Sequence, residues 1–277
     1  MNYTATDVKN LRDSTGAGLL DCKKALNETN GDIAAAEKLL KEKGLAAMAN
    51  RTDRTAAEGR IVIKQEGNAL AIVEVLCETD FVSNNQDFVD VAEKVCEATL
   101  QKKASGILDE HKALIDTILV KFRENISVKR AEYIEVPAGC VVSTYVHHDH
   151  KIGAVVVIKG SESDSVKDFA HVCCLHLASN KPEYITKQEV PQSYIDEQTD
   201  IFKAQMADDE SMAKKPENVK EGILKGKVNK LLSSICFMDQ PYLDNEKITV
   251  TQAIQEAGKQ AGADLSFEKI VLYVLGK

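Results

Sequence analysis

The chain has no excess of positive charge. Its 35 lysines and arginines face 43 aspartates and glutamates, a net charge of −8 over 277 residues. A protein that holds nucleic acid mainly through phosphate contacts needs a basic stripe to release counterions. Nor is a basic arm hidden at the start, since the first 58 residues carry nine acidic and nine basic side chains. Direct nucleic-acid binding is therefore not expected. Long apolar runs are also missing: nothing approaches the roughly 20 residues that a membrane helix requires. Met1-Asn2-Tyr3-Thr4 has neither the basic flank nor the apolar stretch of a secretory signal. Paired cysteines are lacking as well. The seven cysteines are odd in number and lie mostly inside apolar periodic segments, as Cys77 and Cys96 do. This pattern fits buried free thiols in a reducing, cytoplasmic setting. The Walker lysine loop, the Rossmann glycine fingerprint, the Gly-X-Ser-X-Gly elbow and the kinase signatures are all absent.

What is present is ordinary globular material, 44% hydrophobic and 28% charged, enough for two or three domains. Residues 1–45 read as three short helices. Val8 and Leu11 mark the first, with Thr4 or Thr6 as N-cap. It stops at Thr15-Gly16-Ala17-Gly18. The second runs from Leu19 to about Asn27. Asp32 caps the third, whose Ile33, Ala36, Leu39 and Leu40 share one face and which Gly44 is expected to close. Three helices in so few residues make a small bundle of the ubiquitin-associated type. Residues 46–58 read as a linker, helical at Ala46–Ala49 and then polar.

From Gly59 the period changes to that of strands. Arg60–Lys64 and Ala69–Cys77 flank the hairpin signal Glu66-Gly67-Asn68. A loop at Thr79–Asn85 precedes a helix carrying Phe88, Val91, Val95 and Leu100. Another helix follows through Phe122, then an extended segment ends at Pro137. The pattern recurs at Cys140–His147 and Lys151–Lys159, followed by a helix with Phe169, Cys173 and Leu177. Pro182 and Pro191 lead into two helices that form an antiparallel hairpin. A helix from Thr251 and a terminal strand from Ile270 complete the chain. The expected fold is α+β: residues 1–45 form the bundle, 46–58 the linker, 59–138 and 139–185 two similar core halves, 186–238 a projecting helical hairpin, and 239–277 a return to the second half.

Three places invite chemistry. His147-His148-Asp149-His150 offers imidazoles and a carboxylate, but as a hairpin turn it splays them, and no further ligand pair at metal spacing supports it. Cys173-Cys174 with His171 and His176 suggests a thiol nucleophile, yet helical spacing sets Cys173 on the apolar face with Phe169 and Leu177. A structural reading is preferred for both, with no metal and no cofactor expected. Thr79-Asp80-Phe81-Val82 leaves two readings open. Periodicity favours Phe81 in the core with Asp80 capping the next helix. The alternative is an exposed aromatic wedge beside an acid, presented by a rigid scaffold.

Two long motifs bear on that choice. The run from Leu11 to Leu26, Leu-Arg-Asp-Ser-Thr-Gly-Ala-Gly-Leu-Leu-Asp-Cys-Lys-Lys-Ala-Leu, resembles the N-terminal signature of the elongation factor Ts family. Cys77-Glu78-Thr79-Asp80-Phe81-Val82 resembles its second signature. Glu124-Asn125-Ile126, Lys151-Ile152-Gly153, Lys215-Pro216-Glu217 and Asp239-Gln240-Pro241 follow in family order. Phe122-Arg123 departs from the family's aliphatic residue and glycine. The resemblance implies a guanine-nucleotide exchange factor for the GTPase elongation factor Tu, without bond chemistry of its own. It implies that Thr79, Asp80, Phe81 and Val82 disturb the magnesium and phosphate site of that partner. Arg12, Leu19, Leu20 and Lys23 of the bundle would dock on its nucleotide-binding domain, and His147 would contact another domain. The helical hairpin is an interaction arm in this family, and in some members a homodimer contact.

Overall fold

The structure, a computed structural model, describes residues 2–49, 54–213 and 215–277. Asn50–Asp53 of the expected linker and Lys214 of the expected hairpin turn lie outside the described residues. The chain divides into two compact units. One comprises Met1–Val136, Val146–Gly153 and Tyr273–Lys277, and the other Pro137–Tyr145 and Ala154–Leu272.

The first unit opens with helices α1 (Ala5–Thr15), α2 (Leu19–Glu28) and α3 (Ile33–Ala49). Thr4, not Thr6, starts α1. The Thr4 hydroxyl accepts from the Asp7 N–H at 3.2 Å, and the Thr4 N–H donates to the Asp7 carboxylate at 2.7 Å. Val8, Leu11, Cys22, Leu26, Ala36 and Leu40 meet in one small core. Strands β1 (Glu58–Glu66) and β2 (Ala69–Cys77) then form the expected antiparallel hairpin. Gly59 is obligatory there: at φ 149° a Cβ would lie 2.1 Å from the Val75 carbonyl oxygen. A short helix α4 (Asp80–Ser83) follows, then α5 (Gln86–Lys102), α6 (Asp109–Phe122) and β3 (Ser127–Glu135), which pairs antiparallel with β2.

The sheet order β1-β2-β3 makes β2 central, which explains its near-continuous apolar sequence. Phe88, Val91 and Val95 from α5 and Ile115 and Ile118 from α6 pack on Val73, Val75 and Cys77. The one acid of β2, Glu74, is fully buried, and its carboxylate is met by Arg130 Nε at 2.5 Å and the Gly276 N–H at 2.7 Å. Gly44 does not end α3, contrary to expectation. The helix runs on to Ala49, and Gly44 is instead a point of close approach: a Cβ there would meet Val120 Cγ2 of α6 at 2.6 Å.

The second unit contains most of strands β4 (Cys140–Val146) and β5 (Ile152–Lys159), then helix α7 (Asp164–Asn180). Helices α8 (Gln192–Ala207), α9 (Glu210–Ala213) and α10 (Glu217–Ile235) follow, with α8 and α10 as the arms of the expected hairpin. Val190, Leu232, Ile235 and Cys236 bury its base, whereas Ile201 and Val219 further out are exposed. A two-stranded hairpin, β6 (Pro241–Tyr242) and β7 (Asn245–Thr249), lies where the sequence pattern predicts no strand. Helix α11 (Val250–Ala261) and strand β8 (Ser266–Val274) close the chain. The sheet order is β4-β5-β8. Each half is therefore a hairpin, two helices and a third strand beside the hairpin's second strand. The terminal helix and strand are the counterparts of α6 and β3, and α8–α10 and β6–β7 are inserted between the second half's two helices. The architecture is α+β with a duplicated core.

Candidate functional site

The Thr79–Val82 segment is where β2 leaves the core. Thr79 is still extended, at φ −128° and ψ 154°, and its hydroxyl accepts from the Val82 N–H at 3.4 Å. Thr79, not Asp80, is thus the cap, and Asp80 is the first helical residue. The single turn has two faces. Val82 and Ser83 are buried, and Val82 joins the cluster of Val73, Val75, Cys77 and Phe88. Phe81 is 85% exposed. The core reading of Phe81 that periodicity favours is therefore overturned. In a single helical turn of four residues, no period exists to say which of two adjacent apolar side chains faces inward.

Residues far off in sequence hold this turn. Glu124 Oε2 accepts from the N–H groups of Glu78 and Thr79, both at 3.0 Å, and Oε1 accepts from the Thr79 hydroxyl at 2.6 Å. In return Glu78 Oε1 accepts from the Asn125 N–H at 2.8 Å, and Arg54 pairs with Glu78 Oε2 at 3.3 Å. The Asp80 carbonyl accepts from the Ser83 hydroxyl at 3.1 Å and from the Asn84 side-chain amide at 2.9 Å. Glu78 and Glu124 stand in two of the runs that follow family order, but no local pattern gives them, or Arg54, a place at this turn.

The bundle residues Arg12, Leu19, Leu20 and Lys23 are all exposed, Leu19 at 46% and Leu20 at 70%. They lie around the Gly16–Gly18 turn at the end of α1 and the start of α2, with Ala17, Cys22 and Leu26 filling the interior behind them. Arg123 ties the bundle to the end of α6. It adopts the left-handed conformation, φ 56°, and its guanidinium pairs with Asp21 of α2. At the departure from the family pattern, then, a non-glycine residue sits in a conformation that favours glycine, and its side chain makes an ion pair.

His147–His150 forms the turn between β4 and β5. The His150 N–H donates to the His147 carbonyl at 2.8 Å, and the Asp149 carboxylate accepts from the Lys151 N–H at 2.9 Å. The rings of His147 and His148 are tilted by 59°, and the His150 carbonyl accepts from the Ile61 N–H of β1 at 2.8 Å. Lys151 pairs with Glu58 at 2.7 Å. That hydrogen bond holds the ammonium above the ordinary lysine range, with a smaller contribution from the charge of Asp80. The first unit therefore contains the bundle face, the Phe81 turn and the histidine turn. Among the described residues, no group of three or more His, Cys, Asp or Glu side chains is arranged to hold a metal.

Cys173 and Cys174 are buried in α7, where desolvation pushes the Cys173 thiol far up and the Cys174 thiol up to about 12. Such thiols are not nucleophiles near neutral pH. His176 is committed elsewhere: its Nδ1 accepts from the Leu243 N–H at 3.2 Å and its Nε2 meets Gln240 at 2.8 Å. Among the described residues, no helix is long and apolar enough to cross a membrane.

Fold and turn together make a rigid scaffold with an exposed aromatic side chain. Comparison with known proteins narrows the class. The model of the family "Elongation factor TS" matches residues 78–277. Elongation factor Ts of Treponema denticola is 43% identical over 281 aligned residues, covering 100% of this chain and 99% of that protein. The Treponema pallidum protein of that name is 40% identical over 292 aligned residues, with 100% and 99% covered. The one from Halothermothrix orenii is 36% identical, with 97% and 92% covered. The chain belongs to the elongation factor Ts family, the translation elongation factors of that name.

Proposed function

We propose that this protein is the guanine-nucleotide exchange factor of elongation factor Tu, which binds the GDP form of that GTPase and speeds GDP release during translation elongation. Arg12, Leu19, Leu20 and Lys23 dock on its nucleotide-binding domain. Asp80 and Phe81, set by Thr79 and Val82, work against its magnesium and phosphate site, and His147 contacts a further domain. Exchange makes and breaks no covalent bond, so it needs no catalytic side chain. The observation that carries this reading is Phe81, 85% exposed on a turn anchored beneath it by Val82 and Glu124.

The energetics divide the labour. A thousand-fold acceleration lowers the release barrier by about 4 kcal/mol. Burying the exposed part of Phe81 in the partner contributes about 1.3–2.6 kcal/mol. The rest must come from a wider interface, on the order of 1,600 Å², which the bundle face enlarges. By linkage, this protein and the nucleotide must weaken each other's binding to the GTPase by the same factor. The test is release of labelled GDP from purified elongation factor Tu. Substoichiometric protein should accelerate it, and an unchanged rate at saturating protein would sink the proposal.

A further inference from the structure

We infer that Glu124 is a positioning residue for the exchange reaction: it does not touch the partner but fixes the turn that presents Phe81. This inference rests on the exchange reading above and adds to it a residue outside the Thr79–Val82 segment.

The geometry is specific. Arg123 ends α6 in the left-handed conformation, at φ 56° and ψ 29°, and the reversal brings Glu124 beneath the start of α4. One carboxylate oxygen takes two consecutive backbone N–H groups, those of Glu78 and Thr79, and the other takes the Thr79 hydroxyl proton. That last bond fixes the hydroxyl rotor. With its proton committed to Glu124, the Thr79 oxygen turns a lone pair toward the Val82 N–H, which it accepts at 3.4 Å to cap α4. The return bonds from the Asn125 N–H to Glu78 and from the Asn125 amide to the Arg54 carbonyl close a loop of contacts between the end of β2 and the start of β3.

Phe81 depends on this frame. Being 85% exposed, its ring has little packing of its own to define where it stands. Its position is set by the backbone of a four-residue helix, pinned on one side by buried Val82 and at its start by Thr79. Charge-assisted hydrogen bonds to a carboxylate are among the stronger ones available to a chain. A glutamine keeps the shape of Glu124 but replaces one acceptor oxygen by an NH2 group, which cannot accept from an N–H. Glu124→Gln therefore separates the acceptor role from mere volume.

The experiment uses the full chain carrying Glu124→Gln and Glu124→Ala, each in the native background and with Phe81→Ala. Three readouts are taken: thermal melting, hydrogen exchange of the Thr79 and Val82 amides in the free protein, and stimulated GDP release. The inference expects faster amide exchange in both Glu124 variants. It expects the maximal stimulated release rate to fall at least about ten-fold, with little change in the half-saturating concentration. In the Phe81→Ala background, removing Glu124 should cost much less, because only the placement of Asp80 on the same turn is left for it to disturb. An equal loss in both backgrounds, or undiminished release, overturns the inference. So does unchanged amide exchange, and this arm needs no partner. If the native protein itself fails to speed GDP release, the exchange reading falls, whereas the amide measurement still decides whether Glu124 holds the turn. If Glu124→Ala does not fold, Glu124→Gln decides alone.

Discussion

Replacing Phe81 by alanine should separate folding from the proposed exchange function. In the folded chain the ring is 85% exposed, so only the remainder of its surface is withdrawn from water. Full burial of a phenylalanine is worth about 1.5–3 kcal/mol, so folding should lose about 0.2–0.5 kcal/mol. For a chain of this size the melting temperature should fall by under about 2 °C. Docked on a partner, the same ring buries what it now exposes, about 1.3–2.6 kcal/mol. At 1.4 kcal/mol per decade this is roughly a ten- to seventy-fold loss in stimulated GDP release. Asp80→Ala should act in the same direction, and the double variant should lose less than the sum, because adjacent residues on one turn share one geometry. The assay pairs a thermal melt with GDP release from elongation factor Tu for both single variants and the double. A melting shift of the size expected for a core truncation, about 3–5 kcal/mol, with normal release per folded molecule would refute the reasoning.

Three further outcomes follow from the same structure. Leu20→Ala should weaken the complex with elongation factor Tu while leaving the melt nearly unchanged, because Leu20 is 70% exposed at the start of α2; titration of partner binding checks this, and a preserved affinity counts against the bundle as a docking face. Arg123→Gly should be more stable than Arg123→Ala by about 1 kcal/mol, since both lose the pair with Asp21 but only glycine relieves the left-handed backbone at φ 56°; urea titrations of the two variants measure it. Burial holds His111, His150 and His176 below the ordinary histidine range, with the charge of Arg60 adding to the effect at His150. Their neutral forms are favoured by folding, so the stability they contribute is complete above about pH 6.5 and drains away as pH falls from there toward the folded-state values. The unfolding midpoint should drop between pH 7.5 and 5.5, and His111→Gln with His176→Gln should flatten that slope.

Periodicity alone made the elements legible where one face is buried over many residues. The Phe88–Leu100 helix shows a clean apolar stripe, and the Ala69–Cys77 strand reads as apolar because it is covered on both faces. It failed where a tertiary contact decides. Gly44 resembles a helix stop, yet it lies inside α3 because Val120 approaches it. The kinship of α11 and β8 with α6 and β3 is hidden by the inserted hairpins and emerges only from strand order. At the site, periodicity favours Phe81 in the core, and its exposure removes that reading. The run Glu124-Asn125-Ile126 stands in family order, but the role of Glu124 is not legible there, because its partners, Glu78 and Thr79, are 46 and 45 residues away and no local pattern announces a contact of that span.

On the proposed function, this chain opens the nucleotide site of a GTPase by docking rather than by chemistry. Stopped-flow release of a fluorescent GDP from elongation factor Tu, against excess unlabelled nucleotide and with substoichiometric protein, tests it most directly. Exchange by docking should give many turnovers per molecule of added protein and a rate that rises with its concentration, with the Phe81→Ala protein roughly ten- to seventy-fold slower. A release rate that stays at its unassisted value when the protein is raised to saturation would contradict it.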